Sequence, residues 1–217
     1  MLFDNLDLTR IILTIPVILI SLTVHELAHG YVAYRMGDLT AKNQGRLTLN
    51  PLKHLDPIGA LLLLLVGFGW AKPVPVNPYA FKRNPQQGMA IVAIAGPLSN
   101  LCLAFLGGAF LSIYSLTGIH NLVTNATVNT YIYYFLLYFV QINVVLMVFN
   151  LIPIPPLDGS RVVAGFLSGN ALQRYYSLER YGMILMLILV VTNLIGYVLN
   201  PAVSGITDVI FRLAGLT

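Results

Sequence analysis

Charge is what this sequence has least of. Asp, Glu, Lys and Arg make up 9% of its 217 residues, against about 25% in a soluble domain, while hydrophobic residues make up 57%. That balance excludes a chain with a water-facing surface throughout and indicates a polytopic membrane protein without a sizeable soluble domain. There is one cysteine, Cys102, inside an apolar segment, so no intrachain disulfide can form. The first apolar run follows Asp4, Asp7 and Arg10. It lacks a basic n-region and a small-residue cleavage site, and so reads as a retained helix and not a signal peptide. The net charge of +4 is too small to argue for nucleic acid, and no such partner is expected. Internal repeats and low-complexity tracts are also missing.

What remains is apolar sequence in blocks. These fall at about 11–35, 57–70, 88–116, 131–152 and 182–199. A spanning helix needs roughly 20 residues, so four of the blocks are expected to cross. Block 57–70 is too short and lies between Pro57 and Pro73/Pro75/Pro78, which suggests a re-entrant or interfacial segment. The tail 201–217 contains Pro201, Gly205, Asp208 and Arg212 and reads as an interfacial amphipathic helix. Polar segment 38–50, broken by Asn43-Gln44-Gly45, reads as a small membrane-associated β-hairpin. The expected fold is thus an all-α polytopic membrane protein carrying these three extra pieces.

Ten of the twelve Lys and Arg residues lie around 35–53, 72–83 and 161–180, and connection 117–130 holds none. By the positive-inside rule, 37–56, 71–87 and 153–181 face the cytoplasm and 117–130 the outside.

His25-Glu26-Leu27-Ala28-His29 lies inside the first block. Positions four apart share a helix face, so both imidazoles can bind one metal ion. Glu26 sits one step round, within reach of a metal-bound water, in the zinc signature of metalloproteases. Ionisable groups at membrane depth are costly and mark function by default. A hydrolytic zinc site needs a third protein ligand. Of the eight acidic residues, Asp4, Asp7 and Asp208 lie at the outer ends, Asp38 and Asp56 flank the expected hairpin, and Glu179 has basic neighbours. Asp158 remains, at the cytoplasmic end of the fourth block and at the same leaflet as the histidines. The plainer reading of Asp158 is a turn residue before Gly159 with Arg161 as its partner.

With Ala95-Gly96-Pro97-Leu98-Ser99-Asn100, Asn50-Pro51-Leu52-Lys53-His54-Leu55-Asp56-Pro57-Ile58-Gly59 and the stretch Asn150 to Gly159, residues 10–165 resemble the site-2 protease family of intramembrane zinc metalloproteases, in its compact prokaryotic form. PDZ and CBS modules are lacking. The resemblance implies one metalloprotease domain over 1–217, with a core at 10–165 and C-terminal helices at 166–217, in a prokaryotic plasma membrane. It implies one Zn2+ per chain on His25, His29 and Asp158, Glu26 as catalytic base, and Asn150 holding the substrate backbone or oxyanion. Partners would be transmembrane segments of substrate proteins and the lipid bilayer, with oligomeric state open. Asn150 as a helix C-terminal cap is the rival reading.

Gly96 and Pro97 read as close helix packing plus a kink, with Asn100 having some chance of reaching the site. His54 and Asp56 read as loop hydrogen bonding, His120 as an inert loop residue, and the aromatics of 131–139 as an interfacial belt. The alternative function is a non-enzymatic membrane scaffold or partner-binding protein with structural zinc, which would call for a fourth protein ligand.

Overall fold

The computed structural model describes residues 8–59, 62 and 69–216. Helix α1 (Leu8–Arg35) has 28 residues, about 42 Å at 1.5 Å per residue. A short turn of helix, α2 (Thr40–Asn43), follows. Helix α3 (Pro85–Leu116) starts where Asn84 accepts from the N–H groups of Gln86 and Gln87 and Pro85 takes the first position, an arrangement that satisfies the orphan donors of a helix start. Helix α4 (Ala126–Asn150) starts in the same way on Asn125. Helices α5 (Asp158–Ala164), α6 (Gly169–Ser177), α7 (Glu179–Val191) and α8 (Leu194–Leu213) complete the chain. Among the described residues, four helices are long and apolar enough to cross a membrane: α1, α3, α4 and α8.

Helix α3 lies at the centre and packs on both α1 and α4, and α8 packs on α4. The core between α3, α4 and α8 is Ala104, Val140, Val144 and Ile210. A second cluster, Ala33, Phe81 and Val92, joins α1 and α3 to the segment before α3. Large apolar side chains such as Phe110, Leu106 and Ile113 remain exposed on the helix exteriors, as lipid-facing residues do.

The connections expected in the cytoplasm meet on one face. Lys82 N–H donates to Met36 O at 3.0 Å, and the Gln86 side chain donates to Leu167 O at 2.7 Å and to Ala164 O. Residues 117–125 lie at the opposite end of α3, where Leu116 meets Gly215.

Three expectations are corrected. Segment 38–50 forms no hairpin. Asp38 accepts from the Thr40 N–H and hydroxyl, which starts a helical turn, and the only pairing among the described residues is a single antiparallel bridge, Leu55 to Ala71. Apart from these three, the re-entrant reading of 57–70 gains no support, because it falls mostly on residues 60–61 and 63–68, which lie outside those described. Finally, 182–199 is not one span. It breaks at Thr192–Asn193, where Asn193 adopts φ 55, leaving α7 with 13 residues, too short to cross alone. The tail is correspondingly not a separate interfacial helix. It continues α8 through Pro201 and buries Ile210 against α4. Membrane helices tolerate an internal proline, so Pro201 is a weak boundary signal here.

Candidate metal centre

The histidines sit on α1 where helical spacing brings their rings together, centroids 4.6 Å apart and edge to face. Their Nε2 atoms lie 3.0 Å apart. Asp158 opens α5, and its Oδ2 lies 3.1 Å from His25 Nε2 and 3.2 Å from His29 Nε2. All three donor atoms thus converge.

Two packing features allow this. Gly159 lies so close under the Leu151 and Ile152 carbonyls that a Cβ would overlap them, which lets α5 start directly beneath the end of α4. Gly96 of α3 faces the imidazoles. A Cβ there would lie 2.6 Å from His25 Nε2 and closer still to His29 Nε2.

The donor set fits a zinc ion. Tetrahedral zinc with N and O ligands at about 2.0–2.2 Å sets neighbouring ligand atoms roughly 3.3 Å apart, close to the observed 3.0–3.2 Å. Asp158 Oδ2 is buried with no hydrogen bond of its own among the described residues, as expected of an atom aimed at a shared centre. Burial works against ionisation of Asp158, and the two adjacent imidazoles outweigh it, holding the carboxyl well below the ordinary carboxylate range. No ion pair joins Asp158 to Arg161 among the described residues, so the turn-and-partner reading lacks its partner.

Each histidine is oriented through its other nitrogen. His29 Nδ1 donates to Val92 O at 2.7 Å, and His25 Nδ1 meets Asn100 Oδ1 at 2.6 Å. Such outer contacts fix ring orientation at metal sites. Glu26 is buried, and its Oε2 accepts from Val74 N–H at 2.7 Å. Val74 belongs to an extended stretch that Arg46 clamps, donating to Lys72 O at 2.8 Å and Pro73 O at 3.2 Å. Asp38 clamps its other end, accepting from Asn77 N–H at 2.7 Å. Burial opposes ionisation of Asp38, and the bonds from Thr40 and Asn77 outweigh it and lower the Asp38 pKa.

His25, Glu26, His29, Val74 and Asp158 line a cavity of about 570 Å³ whose other walls include Leu22, Leu146, Phe149, Met183 and Met186. Asn150 also lines it, as the last residue of α4, with its Nδ2 donating to Leu146 O at 2.9 Å. It therefore occupies both the place of a helix end and the wall of the cavity. His54 and Asp56 do not pair as ligands. His54 bonds Thr48 O, and Asp56 accepts from the N–H groups of Ile58 and Gly59. His120 bonds Tyr114 O, remote from the site. Sequence reasoning gave Asn143, Arg46 and Val74 no part in the site. Arg46 offered one signal, a basic residue in a polar run before Asn50-Pro51, and a backbone N–H such as that of Val74 offers none.

A family model described as peptidase family M50 matches residues 13–194. The YwhC protein of Bacillus subtilis, named as a candidate zinc metalloprotease, is 47% identical over 196 residues, covering 90% of this chain and 88% of YwhC. Rip2 of Mycolicibacterium smegmatis, named likewise, is 31% identical over 186 residues, 83% of this chain and 67% of Rip2. The similarly named MJ0611 of Methanocaldococcus jannaschii is 26% identical over 164 residues, 74% of each chain. No solved structure matches the chain significantly.

Proposed function

The chain belongs to peptidase family M50, and from that premise we propose that it is a zinc endopeptidase that hydrolyses a peptide bond in the transmembrane segment of another membrane protein, near the cytoplasmic leaflet. The observation that carries this reading is the convergence of the His25, His29 and Asp158 donor atoms in a cavity walled by membrane-length apolar helices.

A zinc ion on those three atoms would supply an acidified water and a Lewis acid for the scissile carbonyl. With Glu26 Oε2 held by the Val74 N–H, Oε1 is the atom left to take the proton of the attacking water and pass it to the leaving amine. Asn150 has a second amide hydrogen beyond the one bonded to Leu146, suited to the substrate backbone or the developing oxyanion. Leu22, Leu146 and Phe149 exclude water and accept apolar side chains. A helix holds its carbonyls in i→i+4 bonds, so the substrate segment must unwind locally before cleavage. The extended stretch around Val74 lies beside the site, where an unwound strand could run along it.

A structural zinc site is normally closed by four protein ligands. The described residues supply three, together with a Glu26 that such a site does not need. The test is cleavage of a reporter transmembrane substrate in liposomes by Glu26→Gln, with metal content measured on the same sample. Retained zinc with turnover reduced by about 10²–10⁴ or more is the expected result. Near wild-type cleavage would refute the assignment of Glu26.

A further inference from the structure

Three helices are joined by one chain of buried amides that ends on a candidate metal ligand. Asn143 of α4 donates from Nδ2 to Phe139 O at 2.8 Å. Asn100 of α3 donates from Nδ2 to Asn143 Oδ1 at 2.9 Å and lies 3.4 Å from Ser21 O of α1. Asn100 Oδ1 faces His25 Nδ1 at 2.6 Å. Both asparagines are fully buried.

The direction of this chain follows from its ends. A backbone carbonyl can only accept, so the Phe139 carbonyl requires the Nδ2 side of Asn143 to face it. That turns Asn143 Oδ1 toward Asn100, whose partner atom must then be the donor Nδ2. The Ser21 carbonyl demands the same orientation of Asn100 from a second side. Asn100 Oδ1 is therefore left for His25, and an acceptor there requires the proton on His25 Nδ1. With Nδ1 protonated, a neutral His25 has its lone pair at Nε2, the atom that a metal shared with His29 and Asp158 would take. The amide orientations, normally a choice made in assigning the network, are here over-determined by two carbonyls.

We propose that Asn143 is a positioning residue that acts through Asn100 to hold His25 in the Nδ1–H tautomer required for ligation through Nε2. A buried asparagine in the apolar face of a spanning helix is costly unless paired, and Asn143 is paired with Asn100, 43 residues away in sequence, which in turn meets His25. The inference rests on the reading of His25 as a zinc ligand. Its chemistry predicts a graded set of variants. Asn143→Leu removes the acceptor that orients Asn100. Asn143→Asp keeps a carbonyl-type oxygen toward Asn100, and in its protonated form can still donate to Phe139 O.

The experiment uses the full chain in detergent. Zinc affinity is measured by competition with a chromogenic chelator, and the tautomer by ¹⁵N NMR of histidine-labelled protein without metal, with His25 assigned by a His25→Gln control. Wild type is expected to show His25 protonated at Nδ1. Asn143→Leu leaves only the 3.4 Å contact to Ser21 O to orient Asn100, so it is expected to weaken that preference and to bind zinc about 10–100-fold more weakly, the range for outer-contact losses at metal sites. Asn143→Asp is expected to restore most of both. A His25 Nδ1 without a proton in the wild type overturns the proposal without any variant, as does wild-type zinc affinity and Nδ1 protonation in Asn143→Leu. Equal impairment in Asn143→Asp and Asn143→Leu overturns it in favour of simple packing. Failure of the wild type to bind zinc would sink the metal-site reading separately, with the metal-free tautomer measurement still deciding the relay.

Discussion

Gly96 shows how little room the site leaves. Helix α3 passes so near both imidazoles that the smallest added side chain meets them, 2.6 Å from His25 Nε2. Glycine in a helix interior costs roughly 1 kcal/mol relative to alanine, and here the close approach requires it. Gly96→Ala is expected to leave helicity intact by circular dichroism while zinc content falls well below one ion per chain. Full zinc occupancy in that variant would mean the helix can move aside at little cost, and the packing argument would be wrong. The motif containing Gly96 was legible as a place of close helix packing. That the close neighbours would be the candidate metal ligands was not, because nothing local to α3 says which helix lies against it.

At the scale of elements, the extended stretch between Lys72 and Asn77 connects the polar segment to the chemistry. Arg46 holds two of its carbonyls, Asp38 holds the Asn77 N–H, and Val74 between them donates to Glu26. Removing the Arg46 fork leaves buried carbonyls without donors, at about 1–3 kcal/mol each, and loosens the segment that holds Glu26. Arg46→Ala is expected to keep zinc at wild-type stoichiometry while turnover falls by about 10–100-fold, since misplacement by about 1 Å can cost that much. Arg46→Lys should recover little, because a single ammonium cannot reproduce the planar fork. Turnover unchanged in Arg46→Ala would show that Val74 does not need the clamp.

The same segment carries a pH dependence. Asp38 has its pKa lowered in the folded chain, so its stabilising contribution is complete above its unfolded value of about 3.9 and is lost as pH falls through the lower folded value. Thermal stability in detergent should therefore differ between wild type and Asp38→Asn above about pH 4, with the difference shrinking at lower pH. A difference that grows on acidification would contradict the assigned direction. The hairpin expected from 38–50 was a reading of composition. What formed instead was set by partners elsewhere, because the Asp38 and Arg46 side chains bond backbone groups of 72–77 and draw the segment away from pairing with itself.

On the scale of the whole molecule, the charge asymmetry predicts orientation and the structure groups the same connections on one face. Single-cysteine variants in a Cys102→Ser background test the rest. A cysteine at position 121 should react with an impermeant reagent added outside intact cells, and one at position 174 only after permeabilisation. The reverse pattern would invert the orientation and place the site near the outer leaflet. The break at Asn193 and the run of α8 through Pro201 also belong to this scale. A hydropathy window sees 182–199 as continuous, whereas the chain turns where packing of Ile210 on α4 pulls the following helix into the bundle.

His25, Glu26 and His29 were readable because their relation is internal to one helix, where a spacing of four residues dictates a shared face. Asp158 was readable because acidic residues are so few that burial cost and orientation eliminated the others. The spanning helices α1, α3 and α4 were likewise written in block length, since a bilayer imposes a minimum apolar run on any helix that crosses it. Asn143, Arg46 and Val74 were not readable, and the fourth span was misplaced. An asparagine in an apolar block, an arginine in a polar one and a backbone N–H carry no local mark of their partners, which lie 26–48 residues away along the chain. Hydrogen bonds over such separations exist only once helix packing has brought their ends within about 3 Å, and that packing depends on every side chain in the bundle at once.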